Sequence, residues 1–405
     1  MRAGAFLTIL LLGTTLCAQE KPKAPLLSAA DQKRVDEAIA RGVAFLQGQS
    51  TLDPKGTHAT ELMLWTLVHA GVRAGNPKFD ELFQKMIDDP MTHTYRVSLQ
   101  AMILEELDRV KHQKRIYQCA QFLIDNQCKN GQWYYGEAIK PVDLPVEDVA
   151  TGPKNFADAQ PGDKPNVVKK LTIKRRRDGP DEGDNSNSQY AALGLRACQD
   201  AGIVLPREAI LRARAWWRLS MQEEEVKGRP SVATGTEVSL PAAGWCYGGK
   251  THGHKPYGTM TAGAVGSLAI CSFMLGEKNP RKEIALLRGL EWMGREFTVS
   301  ANPGPPEHSP DNTAWMTYYW LYAMERAGLL AGVETMGGHK WYAEGVQWLL
   351  AQQKGDGSWL GALPHADRPV ELNAVWDTCF AILFLKRATK PLQDVASTDR
   401  FHQKK

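Results

Sequence analysis

The chain has 405 residues, 43% of them hydrophobic and 23% charged, with 12 Trp, 36 Gly and 23 Pro. That is too apolar for a disordered protein and too long for a disulfide-stapled miniprotein. A formal net charge of +4, from 49 basic and 45 acidic residues, supplies no general basic field, so no nucleic-acid partner is expected.

From the N-terminus, Arg2, the apolar stretch Ala5 to Leu12 and the small-residue exit Cys17-Ala18 form an expected export signal over residues 1–18, followed by a linker over 19–30. Leu16 is too bulky to precede an acylated Cys17. A soluble periplasmic or secreted protein is therefore expected ahead of a lipid-anchored one. The uncharged stretch Pro256 to Gly276 is broken by Gly258, Gly263, Gly266 and several Thr and Ser. It fits a helix buried on all sides better than a membrane span.

Between residues 31 and 390 two kinds of helix alternate. Amphipathic ones are expected near 31–50, 78–88, 112–127, 205–222, 280–297 and 338–353; in the first, Val35, Ile39, Val43 and Leu46 form one stripe. Most carry a small residue followed by an aromatic, as in Gly42 to Leu46, Gly289 to Met293 and Gly345 to Leu349, which suggests close approach to a neighbouring helix. Nearly uncharged helices are expected near 57–74, 93–109, 184–203, 257–276, 311–330 and 371–388. Gly71, Gly202 and Gly328 are the expected left-handed terminators of three of them. Six pairs of which one member is amphipathic predict an all-α double ring, six inner and six outer helices, with a polar tail over 391–405. The only strand signal is a short arm at Val167 to Ile173.

Links from outer to inner helices are long, with insertions near 134–183 and 223–256, whereas links from inner to outer are short. Long loops often carry function. All of these precede inner-helix N-termini, so one face of the ring is the expected mouth of a site.

After two outer helices the same turn recurs: Gln127, Gly131 and Trp133, and again Gln353, Gly357 and Trp359. The Gln can bond backbone at a helix end, the Gly permits a sharp turn and the Trp folds back on the helix. With these turns in register with the helix pairs, the chain resembles the prenyltransferase and squalene-cyclase repeat family over roughly residues 31–388. The resemblance implies an α/α toroid with a central cavity opening toward the inner-helix N-termini.

The chemistry of that family is only partly echoed. Its triterpene cyclases use an Asp-x-Asp-Asp acid, and no such motif occurs here; in Val375-Trp376-Asp377-Thr378 a Trp stands where the proton donor belongs. Its protein prenyltransferases hold zinc with an Asp-x-Cys pair and a later His. Asp377 and Cys379 form the pair but only His402 follows, so neither metal nor cofactor is expected. His252 and His254 lack acidic or Cys partners and read as a solvated loop. The basic run Lys169 to Arg177 precedes Asp178, Asp181, Glu182 and Asp184 and reads as a solvated, internally compensated insert. The six cysteines after Cys17 read as free core thiols, with Cys198 and Cys271 the pair able to meet.

Candidate mouth residues are His58, Asp184, Asn187, Tyr257, Trp315 and Trp376, with helix capping the competing role for the polar ones. Asp311 and Asp377 are the acids available for catalysis. The expected function is binding of an apolar or mixed small molecule, or of a protein partner, without cyclase chemistry. The alternatives are a divergent terpenoid cyclase or, by fold analogy, a glycan-processing enzyme.

Overall fold

The computed structural model describes residues 25–50, 59–140, 142, 164–223, 240–248, 255–277, 279–304, 316–362 and 370–392. Twelve α-helices account for most of them: α1 (Ala29–Gly48), α2 (Ala59–His69), α3 (Pro77–Asp88), α4 (Thr94–Asp108), α5 (Gln113–Asp125), α6 (Asn185–Asp200), α7 (Arg207–Leu219), α8 (Gly258–Met274), α9 (Ile284–Arg295), α10 (Thr317–Ala331), α11 (Trp341–Gln352) and α12 (Val370–Lys386). Even-numbered helices are those expected to be inner, with few charged residues over most of their length. Every residue of α10, and all of α8 but its last two, is buried, so these helices are surrounded by protein. In α3, by contrast, only Phe79, Leu82 and Met86 are buried, spaced to put them on one face.

The even helices pack in sequence, α2 on α4, α4 on α6, α6 on α8, α8 on α10 and α10 on α12, and α12 packs back on α2. This closes an inner ring. The odd helices lie outside it, with α5 against α4 and α6, α9 against α8, and α1 against both α12 and α11. No described helix is long and apolar enough to cross a membrane.

The two Gln-to-Trp turns are the same object twice. Gln127 Nε2 donates to the carbonyls of Gly131 (3.2 Å) and Ala209 on α7 (2.9 Å). Gln353 Nε2 donates to Gly357 (2.9 Å) and to Ala38 on α1 (2.8 Å). Each Gln thus ties its own turn to the next outer helix, and Gln353 ties the last to the first. Trp133 and Trp359 donate their indole N–H to Leu123 and Leu349, one turn back on the helices they follow. Trp245, in the expanded fourth unit, does the same to Trp217.

The small residues of the outer helices are seats for large side chains. A Cβ on Gly42 would lie 2.8 Å from the Trp359 ring, one on Gly289 3.0 Å from Trp245, and one on Gly345 2.3 Å from Phe384. Gly71 and Gly202 end their helices with φ +91° and +81°. Gly328 does not: α10 runs on to Gly332 (φ +68°), and Gly328 instead makes room for the Trp341 indole, which a Cβ there would meet at 2.7 Å.

The insert between α5 and α6 spans the ring from end to end. Lys164 pairs with Glu105 and Glu106 at the C-terminal end of α4, and β1 (Leu171–Thr172) pairs in parallel with β2 (Ile203–Val204) just beyond α6. A second two-residue pair joins β3 (Gln222–Glu223) to β4 (Ala243–Gly244). The basic side chains of the run are solvated as expected, with only Arg175 partly buried, and Arg175 pairs with Asp178 (3.3 Å), but its arginines also serve a structural role that the sequence did not suggest. Arg176 pairs with buried Asp125 (2.7 Å), Arg175 donates to the Ile124 carbonyl and Gln127, and Arg177 donates to Asn126. The carbonyls at the end of α5 lack intrahelical donors, and three arginines satisfy and neutralise that end.

Candidate functional site

The N-terminal halves of all six inner helices converge on one cavity of about 190 Å³. Leu62 comes from α2, Tyr95 and Leu99 from α4, Ser186 and Tyr190 from α6, Met260 from α8, Tyr319 from α10, and Trp376 and Phe380 from α12. Tyr135 and Tyr247, from the segments leading into α6 and α8, stand on the rim at 55% and 39% exposure.

The wall is a connected set of rings. Tyr95 lies 4.5 Å from Tyr190, Tyr190 6.5 Å from Tyr319, Tyr319 5.1 Å from Phe380, and Phe380 6.1 Å from Trp376, all between ring centroids. The Tyr95 hydroxyl bonds that of Ser186. Burial pushes the phenols of Tyr95 and Tyr190 well above their ordinary range and raises Tyr319 as well, so all three remain neutral donors and acceptors.

Beneath this wall sits Arg326, on α10 and only 3% exposed. Its Cζ lies 5.3 Å from the Tyr190 ring centroid, 5.8 Å from Tyr319 and 4.3 Å from Tyr322. Nη2 donates to Gln189 Oε1 at 2.9 Å, while Nη1 and the Gln189 amide nitrogen are buried without a partner. Among the described residues Arg326 forms no ion pair. Its neighbour Glu325 turns the other way, accepting from Thr389 N (3.0 Å) and Oγ1 (2.7 Å). Burial raises that carboxyl to about 7, against the pull of Thr389 and Arg326.

Of the mouth residues expected from sequence, Tyr257 and Trp376 line the cavity. Asp184 and Asn187 do not; Asp184 caps α6, accepting from Asn187 N (2.6 Å) and Nδ2 (2.7 Å). Burial raises the Asp184 carboxyl, although the Asn187 bonds pull it down. Part of the polar surplus around it is taken up structurally, although Asn187 Oδ1 and Gln189 Nε2 are buried without a hydrogen-bond partner. Asn185 accepts from Gln132 and Trp216, and Ser188 Oγ accepts the Trp133 amide. Only Ser186 of that run reaches the cavity. Asp377 is also off the cavity, where its carboxylate accepts the Gly361 amide at 2.8 Å in the turn after Trp359. His58, Asp311, Trp315, His252, His254 and His402, and the expected export segment 1–18, lie outside the described residues. All six described thiols are free, Cys198 and Cys271 included.

Sequence reasoning did not single out Tyr95, Tyr190, Tyr319 or Arg326. Nor did it find the hydroxyls that dock each Trp turn on the next inner helix. Ser188, Thr261 and Thr378 accept the backbone N–H of Trp133, Trp245 and Trp359 at 2.9, 3.1 and 3.0 Å.

No protein-family model and no curated protein matches the chain. Among solved structures it is similar to the type II terpene cyclase MstE from Scytonema. A variant of that enzyme holding its substrate, geranylgeranyl dihydroxybenzoate, aligns with a TM-score of 0.47 at 14% identity, covering 89% of this chain and 99% of that one. The apo form gives 0.46 at 15%, covering 88% and 99%, and a second apo variant 0.33 at 13%, covering 89% and 99%.

Proposed function

We propose that the ring binds a small ligand of mixed polarity in its central cavity and does not cyclise polyenes. The observation that carries this reading is the wall itself: six helices converge on one cavity of about 190 Å³ in which phenol hydroxyls are interspersed with apolar rings. Ligand sites between helices of bundles have this composition, mostly apolar with a few placed polar groups. The volume is below the roughly 300 Å³ at which drug-sized sites begin, so it suits a small molecule or one end of a larger one. Export, read from residues 1–18, goes with this proposal and puts the ligand outside the cytoplasm.

An aromatic wall is also what a carbocation needs, and Arg326 is the argument against that. Its guanidinium cannot shed its proton. At ~8 Å and an effective dielectric of about 20, a second positive charge is repelled by roughly 2 kcal/mol. A polyene cation formed over Tyr190 and Tyr319 meets that penalty where a cyclase needs stabilisation.

The test is a titration of the full chain with octanamide and octanol, followed by intrinsic tryptophan fluorescence. A saturable change is expected, lost in Leu99→Trp, which fills the cavity. Two results sink the reading: binding unchanged in Leu99→Trp, or conversion of a linear polyene to a cyclised product that is lost in Asp377→Asn.

A further inference from the structure

This inference rests on the ligand-binding reading and names the head group of the ligand and the direction in which it enters. The exposed polar side chains of the cavity stand at its mouth. Tyr135 and Tyr247 occupy the same place in two successive Trp turns, two residues after Trp133 and two after Trp245. Both line the cavity, both are exposed, and their hydroxyls lie 3.5 Å apart. Tyr257, which directly precedes α8, lines the cavity near Tyr247. Leu99, Tyr190 and Phe380, set further along their helices, are buried wall.

Behind the two tyrosines lies a buried carboxylate. Asp184 N donates to the Trp133 carbonyl and Asn185 N to the Tyr247 carbonyl, both at 2.9 Å, so both Trp turns are fastened beside Asp184. Asp184 Oδ1 caps α6 and Oδ2 accepts from Asn187 Nδ2, and among the described residues no cation pairs with it. The N-terminus of α6 carries roughly half a positive charge and offsets the carboxylate only in part. The Tyr247 hydroxyl is near enough to favour the ionised form of Asp184. The carboxylate in turn acts through space on Tyr95, Tyr247, Tyr257 and Tyr319, four phenols of the cavity, and discourages their ionisation. The mouth thus offers exposed rings and neutral phenol oxygens with a negative charge behind them. The opposite end has the reverse sign: the Arg326 guanidinium lies under the Tyr190 and Tyr319 rings. Arg326 follows Thr317 by nine residues, roughly 13 Å along α10 at ~1.5 Å per residue.

We propose that the cavity takes a cationic amphiphile tail first, its ammonium head held at the mouth by Tyr135 and Tyr247 with Asp184 behind them, and its apolar stem lying along Leu99, Tyr190 and Phe380. A cation over a phenol ring is attracted by the ring face, and more strongly where water is excluded. A carboxylate head is repelled at the mouth by Asp184, and an ammonium turned toward the other end is repelled by Arg326. Tail-first entry of a cation is the orientation that suits both charges. Asp184 touches no ligand in this arrangement; it acts through Tyr247 and through its field.

The test is calorimetric titration of the full chain with octylamine, octyltrimethylammonium, octanol and octanoate at neutral pH. Octylamine and octyltrimethylammonium are each expected to bind about tenfold tighter than octanol, and octanoate more weakly than octanol. In Asp184→Asn, which keeps a side-chain cap on α6, the ammonium preference falls to about twofold or less while octanol binding is kept. Tyr135→Leu lowers octyltrimethylammonium affinity about threefold, because only the ring face holds a head that donates no hydrogen bond. Octanol binding as tightly as both ammonium compounds overturns the inference. So does an ammonium preference that survives in Asp184→Asn, or a crystal structure of the octyltrimethylammonium complex with the nitrogen against Tyr190 and Tyr319. That crystal structure of the unaltered protein decides the matter if Asp184→Asn fails to fold. Octanol binding with no ammonium preference leaves the ligand-binding reading standing, whereas failure of all four compounds to bind removes both.

Discussion

Glu325 shows how a single buried residue couples this ring to pH. Its folded value of about 7 lies above the ordinary 4.5 because burial disfavours the carboxylate, so the unfolded chain ionises first. Stability from this residue is therefore full below about 4.5, declines as pH rises and is lost above about 7. The 2.5-unit gap, 7 minus 4.5, corresponds to at most about 3 kcal/mol at 1.36 kcal/mol per unit. His69 and His112 act in the opposite sense: burial lowers both to about 4, so what they contribute is present above 6.5 and lost as pH falls. Comparison with Glu325→Gln separates the two effects. Urea unfolding at pH 5 and pH 8 is expected to show the unaltered protein losing up to about 3 kcal/mol more than the variant over that interval. Parallel losses in both would show that Glu325 is ionised throughout.

At the scale of the element, each Gln-to-Trp turn ties two neighbouring outer helices together, and its glycine is the position that tolerates no substitute. Gly131 has φ +99° and a Cβ there would lie 2.4 Å from the Arg212 carbonyl; Gly357 has φ +88° and a Cβ there would lie 2.5 Å from that of Arg41. Both the backbone conformation and the approach to the next outer helix exclude a side chain. Gly355, two residues before Gly357, has nothing within 4 Å of where a Cβ would stand. Thermal and urea unfolding are expected to show a loss of about 2 to 4 kcal/mol for Gly131→Ala or Gly357→Ala, and within about 0.5 kcal/mol for Gly355→Ala. Equal effects at Gly355 and Gly357 would mean that the turn is not the constraint.

The turn was legible in the sequence because Gln, Gly and Trp keep fixed spacing. The hydroxyls that receive it were not, because they lie 55, 16 and 19 residues beyond their tryptophans, with insertions of different length between. The inner helices were legible as buried segments, yet an apolar surface on every side gives no hint of which face turns to the axis, and Tyr95, Tyr190 and Tyr319 stayed indistinct for that reason. Arg326 stands in the C-terminal half of α10, before its last turn, where a lone basic residue in sequence gives no sign of which way its side chain runs. Helical side chains lean toward the N-terminus, however, and this one runs back under Tyr322 and into the ring.

On the scale of the whole molecule the two ends of the ring are built differently, and this separates stability from binding. The mouth is aromatic and holds the cavity. The far end is a charged plug: Lys164 and Lys390 pair with Glu106 at 3.0 and 2.6 Å, Arg196 donates to the carbonyls of Lys390 and Pro391, and Thr389 serves Glu325. Burial opposes ionisation of Glu106, but the two lysines hold it down at about 2. Its share of stability is therefore present above about 4.5 and fades only as pH falls toward about 2. Deleting everything after Arg387 removes Lys390 and Thr389 together. It leaves Glu106 with one lysine and Glu325 with no hydrogen-bond donor among those the structure shows. Removing a partner from a buried charged group costs about 1.5 to 3 kcal/mol, so the truncated chain is expected to lose roughly 2 to 5 kcal/mol at pH 7. Glu325→Gln in the truncated background recovers little of it at pH 7, because loss of the Thr389 bonds raises the Glu325 carboxyl further and leaves it neutral, and recovers more at about pH 8.5. Octanamide affinity, read at the opposite end of the ring, is expected to change by less than about twofold. A truncation that abolishes octanamide binding while unfolding remains cooperative would show that plug and mouth form a single coupled unit.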